Sequence, residues 1–191
     1  MLKIAYGVAA GLLISSAAAA QDTVTWKDNV EGWNVAIDRT IDNSCFIISG
    51  FENDLFLRFQ FNATLQNLQF IVASVRWDSL ENGEDYDLEV SFGELDAWTG
   101  EARAHRWNDI LPSLVLSVPV EDQQASNFMQ EFTAMDSVRV SYDGSEIAHL
   151  ALTGANEAVS SMIECQATMS KANAERGDPA SDPFAGKPDP V

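Results

Sequence analysis

Three carboxylates at alternate positions are the first residues whose types and spacing suggest a chemical role. Asp85, Asp87 and Glu89 stand at every second position, so a strand would place them on one face. Calcium takes about six to eight oxygen ligands, many of them carboxylate oxygens. The stretch lacks the glycine and the closing glutamate of a calcium-binding loop. It is therefore either a calcium site, in which case millimolar calcium must raise the melting temperature, or a solvated strand face.

A basic cluster follows these carboxylates. Arg103, His105 and Arg106 lie within four residues, with Trp107 next to them and Trp98 a few positions earlier. On an acidic protein this set predicts half of a binding site for an anion or an acidic partner, with the two tryptophans as exposed aromatic side chains. The alternative interpretation is that the cluster neutralises the neighbouring acidic block.

Catalytic patterns are absent from the sequence. There is no Gly-x-Ser-x-Gly, no Cys-x-x-Cys and no glycine-rich phosphate loop, and His105 and His149 are far apart. Carboxylates are so frequent that any acid and base pair among them would be arbitrary. We therefore assign no catalytic residue and no cofactor, and keep a hydrolase that uses carboxylates and a histidine as an alternative.

The first twenty residues predict export. Residues 1–20 combine Lys3, an apolar run over 4–14 and small residues up to Ala20, which is typical of a secretory signal peptide. The run is too short to span a bilayer comfortably, so we expect no membrane span in the mature chain and a location in the periplasm or outside the cell. Cys45 and Cys165 then predict one disulfide, which would close a loop of about 120 residues and stabilise by roughly 2–4 kcal/mol.

Net charge limits the kinds of partner. The 191-residue chain carries a formal charge of −18, and loss of Lys3 with the signal peptide makes it more acidic. Such a surface repels nucleic acid and anionic lipid and favours cationic partners or divalent ions. We expect a protein partner and no nucleic acid.

Apolar periodicity predicts the elements that position these residues. An Asp143-Gly144 turn predicts a hairpin over 137–152, and helical spacing predicts helices over 121–135 and 158–169, the second with Met162 and Ile163 on its apolar face. Around Thr99-Gly100 the segment 95–107 predicts a turn or irregular structure. Alternating or short apolar runs predict strands over 23–38, 45–49, 55–62, 68–77, 86–92 and 113–118.

Together these elements predict an α+β fold that is mainly antiparallel β and sandwich-like, with two helices, the C-terminal one tethered by the disulfide. We expect a single β-rich globular domain over 21–169. Residues 170–191 are rich in proline, and their one large apolar residue is Phe184, so we expect a disordered tail.

Gly32 to Val35, Cys45 and residues 147–158 (IAHLALTGANEA) resemble small exported bacterial proteins of the invasion-associated locus B type. In that family an early Trp-x-Val strand leads to a cysteine, and a late hairpin feeds a leucine-rich strand, a glycine and an alanine-containing helix. The resemblance implies a non-enzymatic periplasmic β-rich domain. Family members usually carry more cysteines, so their disulfide pattern does not carry over.

The sequence therefore favours a soluble periplasmic binding or accessory protein that is not catalytic and acts through protein contacts. The hydrolase described above and a calcium-dependent binding module are the alternatives. Each rests on residues that only a folded structure can bring together or separate.

Overall fold

The computed structural model describes residues 22–62, 64–107, 110–121 and 123–176. The predicted signal peptide and residues 177–191 of the predicted tail lie outside the described residues. The helices are α1 (Gln123–Ala134) and α2 (Ala155–Arg176). The strands are β1 (Thr23–Val30), β2 (Trp33–Asp38), β3 (Ser44–Phe51), β4 (Leu55–Asn62), β5 (Asn67–Ser74), β6 (Asp85–Phe92), β7 (Trp98–Trp107), β8 (Leu111–Pro119), β9 (Ser137–Tyr142) and β10 (Ser145–Ala151).

The ten strands form one sheet in the order β1-β2-β3-β4-β5-β8-β7-β6-β9-β10. Every neighbouring pair is antiparallel. The predicted α+β class, mainly antiparallel with two helices, is confirmed, and the strands belong to one continuous sheet. Asp143 and Gly144 both have positive φ, 49° and 69°, as a two-residue hairpin turn of this kind requires.

Both helices pack on the same face of the sheet, which we call the helix face. Phe59 of β4 stacks on Phe132 of α1 with ring centroids 4.6 Å apart. Cys45 of β3 shares this face, because its strand neighbour Ile47 lies opposite Phe59. Side chains at the intervening positions, such as Arg58, point to the opposite face, which we call the groove face. The apolar core therefore lies between the sheet and the helices.

Covalent and close contacts fix α2 to the first strands of the sheet. The predicted disulfide between Cys45 and Cys165 is present, with Cα atoms 6.1 Å apart. The Trp33 indole donates a hydrogen bond of 3.0 Å to the carbonyl of Thr153, just before α2 begins. The segments that carry the family resemblance, distant in sequence, thus meet at this one junction.

The segment over 95–107 differs from its prediction. Residues Trp98–Trp107 form a ten-residue strand with no turn at Thr99-Gly100, so that prediction is wrong. A Cβ atom on Gly100 would lie 2.9 Å from Cδ1 of Leu116 on β8. The glycine therefore leaves room for the Leu116 side chain beside it, a role that a local sequence pattern does not distinguish from a turn.

Helix α2 continues to Arg176, beyond the predicted end of the domain at 169. Asn173 holds its last turns, since its side-chain amide donates to the carbonyl of Asp42 at 3.2 Å. Met162 is fully buried as predicted, whereas Ile163 is 45% exposed and faces away from the core. Neither helix in the described part of the chain is long and apolar enough to cross a bilayer.

Substitution of two glycines with similar backbone angles should lower the free energy of unfolding by different amounts. Gly144 and Gly154 have φ of +69° and +78°, but a Cβ on Gly144 would meet no described atom within 4 Å, whereas one on Gly154 would clash with the backbone oxygen of Glu31. We expect Gly144→Ala to cost about 1–2 kcal/mol from the left-handed conformation alone, and Gly154→Ala to cost a further ~1–3 kcal/mol from the clash. Urea unfolding of both variants measures the difference, and equal costs would contradict the close contact at Glu31.

Candidate functional site

An open groove of about 1380 Å³ lies on the groove face of the sheet. Its lining comes from β1 to β5, β7 and β8, and from connecting segments that include Leu65, Asn82, Gly83 and Ile110. In the strand order β1 and β7 stand on opposite sides of β4 and β5. Strands β1 and β7 therefore form the two walls, and β4 and β5 form the floor.

A chain of hydrogen-bonded polar side chains crosses the floor. The Arg58 guanidinium donates through Nη2 to Oδ2 of Asp38 at 2.6 Å and through Nε to the side-chain oxygen of Gln60. The Gln60 amide in turn donates to the side-chain oxygen of Gln69. The other oxygen of Asp38 accepts from the backbone N–H and the hydroxyl of Thr40, at 2.9 and 2.6 Å. The chain links β2, β4 and β5.

Two aromatic rings cover the Arg58 guanidinium. Its Cζ lies 3.7 Å from the ring centroid of Phe46 and 5.1 Å from that of Trp107, distances at which a cation is attracted to the ring. Trp107 belongs to β7, which two intervening strands separate from the β4 strand of Arg58. The contact therefore shows that the sheet curls around the groove. This curvature leaves Arg58 only 7% exposed although neither α1 nor α2, the α-helices of the described residues, packs on the groove face.

Burial and ion pairing shift the pKa of each charged group in opposite directions. Burial raises the pKa of the Asp38 carboxyl, but hydrogen bonds from Thr40 and Arg58 and the charge of Arg58 outweigh it, so the pKa is lowered. Burial lowers the pKa of the Arg58 guanidinium, and Asp38 opposes this shift. Because an arginine side chain does not lose its proton in proteins, Arg58 stays protonated at neutral pH. The floor thus carries a complete ion pair with no net charge.

Large apolar side chains stand exposed at both ends of the groove. Leu65, just before β5, is 62% exposed, and Ile110, just before β8, is 75% exposed. Strands β5 and β8 are antiparallel neighbours, so the residues that precede them lie at opposite ends. Both side chains line the groove. The groove is therefore apolar at its ends and polar on its floor.

Three of the five predicted binding residues reach the groove. Arg103, His105 and Trp107 alternate on β7 and line its wall. Arg103 is already paired, since its Nη1 lies 2.8 Å from Oδ2 of Asp85 on β6. Trp107 contributes its contact with Arg58. The wall thus keeps His105 and part of Trp107 facing the groove.

The other two predicted binding residues lie elsewhere. Trp98 faces the helices, where its indole donates to the Glu131 carboxylate at 2.6 Å and packs on Phe128. Arg106 donates to the carbonyl of Asp78 at 3.0 Å and so holds the β5–β6 connection. Alternation along β7 explains the separation, because even and odd positions face opposite sides of the sheet.

The predicted calcium residues share one face, as their spacing indicates. Asp85, Asp87 and Glu89 pair with alternate residues of β7, and Asp85 accepts from Arg103. Within the described ranges, no group of three or more histidine, cysteine, aspartate or glutamate side chains is placed to hold a metal ion. The second histidine, His149, is on β10, away from the residues that line the groove.

The floor residues Asp38, Arg58, Gln60 and Gln69 were not predicted as a site. The sequence pattern assigns Arg58 and Gln60 to the polar face of the predicted strand over 55–62, where solvent would cover them. Their burial depends on the curvature of the sheet. The available signal was an arginine and a glutamine on a strand whose neighbour over 68–77 is apolar on both faces.

Comparison with known proteins supports the fold. No protein-family model matches the chain, and none of the curated proteins matches it significantly. Among solved structures, the crystal structure of invasion associated protein B from Bartonella henselae is similar, with a TM-score of 0.53 and 12% sequence identity. The match covers 75% of this chain and 99% of the other. At this identity the likeness shows a shared fold alone.

The buried ion pair predicts a large cost for losing its cation. Arg58→Met leaves the Asp38 carboxylate buried without its partner, and we expect a loss of about 3–5 kcal/mol in the free energy of unfolding. The matched control is Arg76→Met, because Arg76 pairs with Asp54 at the surface, where the side chains are 61% and 58% exposed. That variant should lose less than ~1 kcal/mol. Urea unfolding at neutral pH measures both, and equal losses would contradict the burial of the pair.

Low pH should remove the contribution of Asp38 to the free energy of unfolding. Because folding lowers its pKa, the ionised carboxylate adds stability that is present in full above the unfolded value of about 3.9 and is lost as the pH falls through the lower native value. We therefore expect the stability difference between wild type and Asp38→Asn to be constant from neutral pH down to about pH 5 and to narrow below about pH 4. Unfolding curves over this range test the sign, and a difference that widens in acid would refute it.

Proposed function

We propose that this protein is an exported, periplasmic binding or accessory protein, not catalytic, that acts through protein contacts made at the groove. The observation that carries the proposal is the pair of exposed apolar side chains, Leu65 and Ile110, at the two ends of a groove with a polar floor. Exposed apolar residues around a depression with a few placed polar groups are typical of binding surfaces.

Export is supported by two features. The pattern over 1–20 is that of a signal peptide. The disulfide between Cys45 and Cys165 is of a kind that persists in oxidising compartments such as the periplasm. The structure is also similar in fold to an invasion associated protein. We propose no role in invasion for this chain.

A binding role is favoured over hydrolysis by the state of the charged groups. Arg58 forms an ion pair with Asp38, and Arg103 forms one with Asp85. General acid or base work needs a group within hydrogen-bond reach of a substrate proton and with a pKa near the working pH. The paired groups of the floor instead form a fixed surface that a partner can contact.

Site-directed photo-crosslinking tests the proposal. A photoreactive phenylalanine analogue replaces Ile110 in the full-length chain, which is expressed in the cell that exports it, and adducts are identified by mass spectrometry. The matched control places the analogue at Ile163, an exposed isoleucine on α2 outside the groove. We expect one protein to form a discrete adduct at position 110 and none at 163. The same protein should copurify with wild type and be lost with Ile110→Gln, because the uncharged polar side chain removes the apolar surface that docking would bury.

Two results would contradict this function. Adducts of equal yield at positions 110 and 163 would mean that capture does not depend on the groove. Absence of any adduct at position 110, with the folded protein present in the periplasm, would remove the groove as a protein-contact surface. Loss of a hydrolytic activity in His105→Ala, with unchanged folding, would instead support the hydrolase.

A further inference from the structure

We propose that the groove receives an extended, basic polypeptide segment of the partner protein. This inference rests on the proposed function and adds the shape and charge of what is bound. Three observations carry it, namely the length of the groove between its apolar ends, the hydrogen-bonding floor, and the uncompensated charge of one wall.

The length of the groove fits an extended chain. Leu65 and Ile110 mark its ends, and β5 between them has eight residues. At about 3.3 Å per residue, an extended segment of about eight residues spans the same distance. The volume of about 1380 Å³ also exceeds the roughly 300–1,000 Å³ of a pocket for a drug-sized molecule. Apolar side chains near the two ends of the segment would meet Leu65 and Ile110.

The floor favours a polypeptide over an acyl chain. Arg58, Gln60 and Gln69 lie midway between the apolar ends. Each is at most 8% exposed and is hydrogen-bonded within the floor, so only the edges of their charged and amide groups reach the groove. An acyl chain laid over them would remove water without replacing its hydrogen bonds, which is costly for polar groups. A peptide backbone carries a donor and an acceptor at each residue and can satisfy such groups along its length.

One wall carries the charge that selects a basic segment. Asp22 and Asp28 line the groove on the β1 side, and both are exposed. Neither forms an ion pair with another described residue, whereas Arg58 and Arg103 each have a carboxylate partner. The uncompensated charge of the groove is therefore acidic. The net charge of −18 adds a long-range field that attracts cationic segments.

Selection from a random eight-residue peptide library, displayed on phage and captured on the immobilised mature chain, tests the inference. We expect selected peptides to be enriched in lysine and arginine, with apolar residues near their ends. For the best synthetic peptides, fluorescence anisotropy measures affinity at low and high salt. Asp22→Lys with Asp28→Lys should weaken binding about tenfold at low salt and less at high salt. The control, Asp87→Lys with Glu89→Lys, makes the same charge change on a strand outside the groove lining and should alter affinity less than about twofold.

Every other outcome overturns the inference. Selected peptides without basic enrichment, or equal weakening by the two double variants, would remove the acidic wall as the selective feature. Failure to select any peptide would remove the extended segment, and binding of a fluorescent long-chain fatty acid in its place would assign an acyl ligand. In these cases an adduct at position 110 that is absent at 163 would still support protein contact at the groove, so failure of the inference and failure of the proposed function remain distinguishable.

Discussion

The buried ion pair between Arg58 and Asp38 is the interaction on which the groove face depends. A guanidinium that is 7% exposed is tolerated only with a partner and with its hydrogen bonds satisfied. Asp38 and Gln60 satisfy two of its nitrogens, while Phe46 and Trp107 cover its planar faces. Because these contacts come from β2, β3, β4 and β7, the pair joins strands from both sides of the sheet and favours the curvature that forms the groove.

The two faces of the sheet are stabilised by different forces. On the helix face, aromatic side chains such as Phe59 and Phe132 pack in an apolar core, and the disulfide to Cys165 holds α2 against β3. Polar contacts and the fold of the sheet on itself stabilise the groove face. An apolar contact is not directional, whereas a chain of hydrogen bonds fixes positions. The helix face therefore supplies most of the stability, and the groove face supplies a surface of defined geometry.

Local patterns predicted what local forces decide. The turn at Asp143-Gly144 was predicted correctly because positive φ at both positions is a property of those residues, and export context predicted the pairing of the two cysteines. At Gly100 the prediction failed, because close packing against Leu116 and a tight turn require the same residue type. Alternation correctly placed Arg58 on the face opposite the core. It could not show that this face is buried, since burial there arises from the curvature of seven strands, which no window of residues contains.

The ion pair and hydrogen bonds already formed within the floor also limit how the groove can bind a ligand. Since the Arg58 and Asp38 charges already neutralise each other, a ligand gains little Coulomb energy from them and must supply hydrogen bonds of the right geometry to rest on the floor. Attraction then comes from the exposed apolar ends, where burying Ile110 or Leu65 removes apolar surface from water, and from the acidic β1 wall. The ends and the wall are spaced along the strands, so a partner must be long to reach them together. This surface can therefore select a ligand by its length and charge more than by a chemical group at one position.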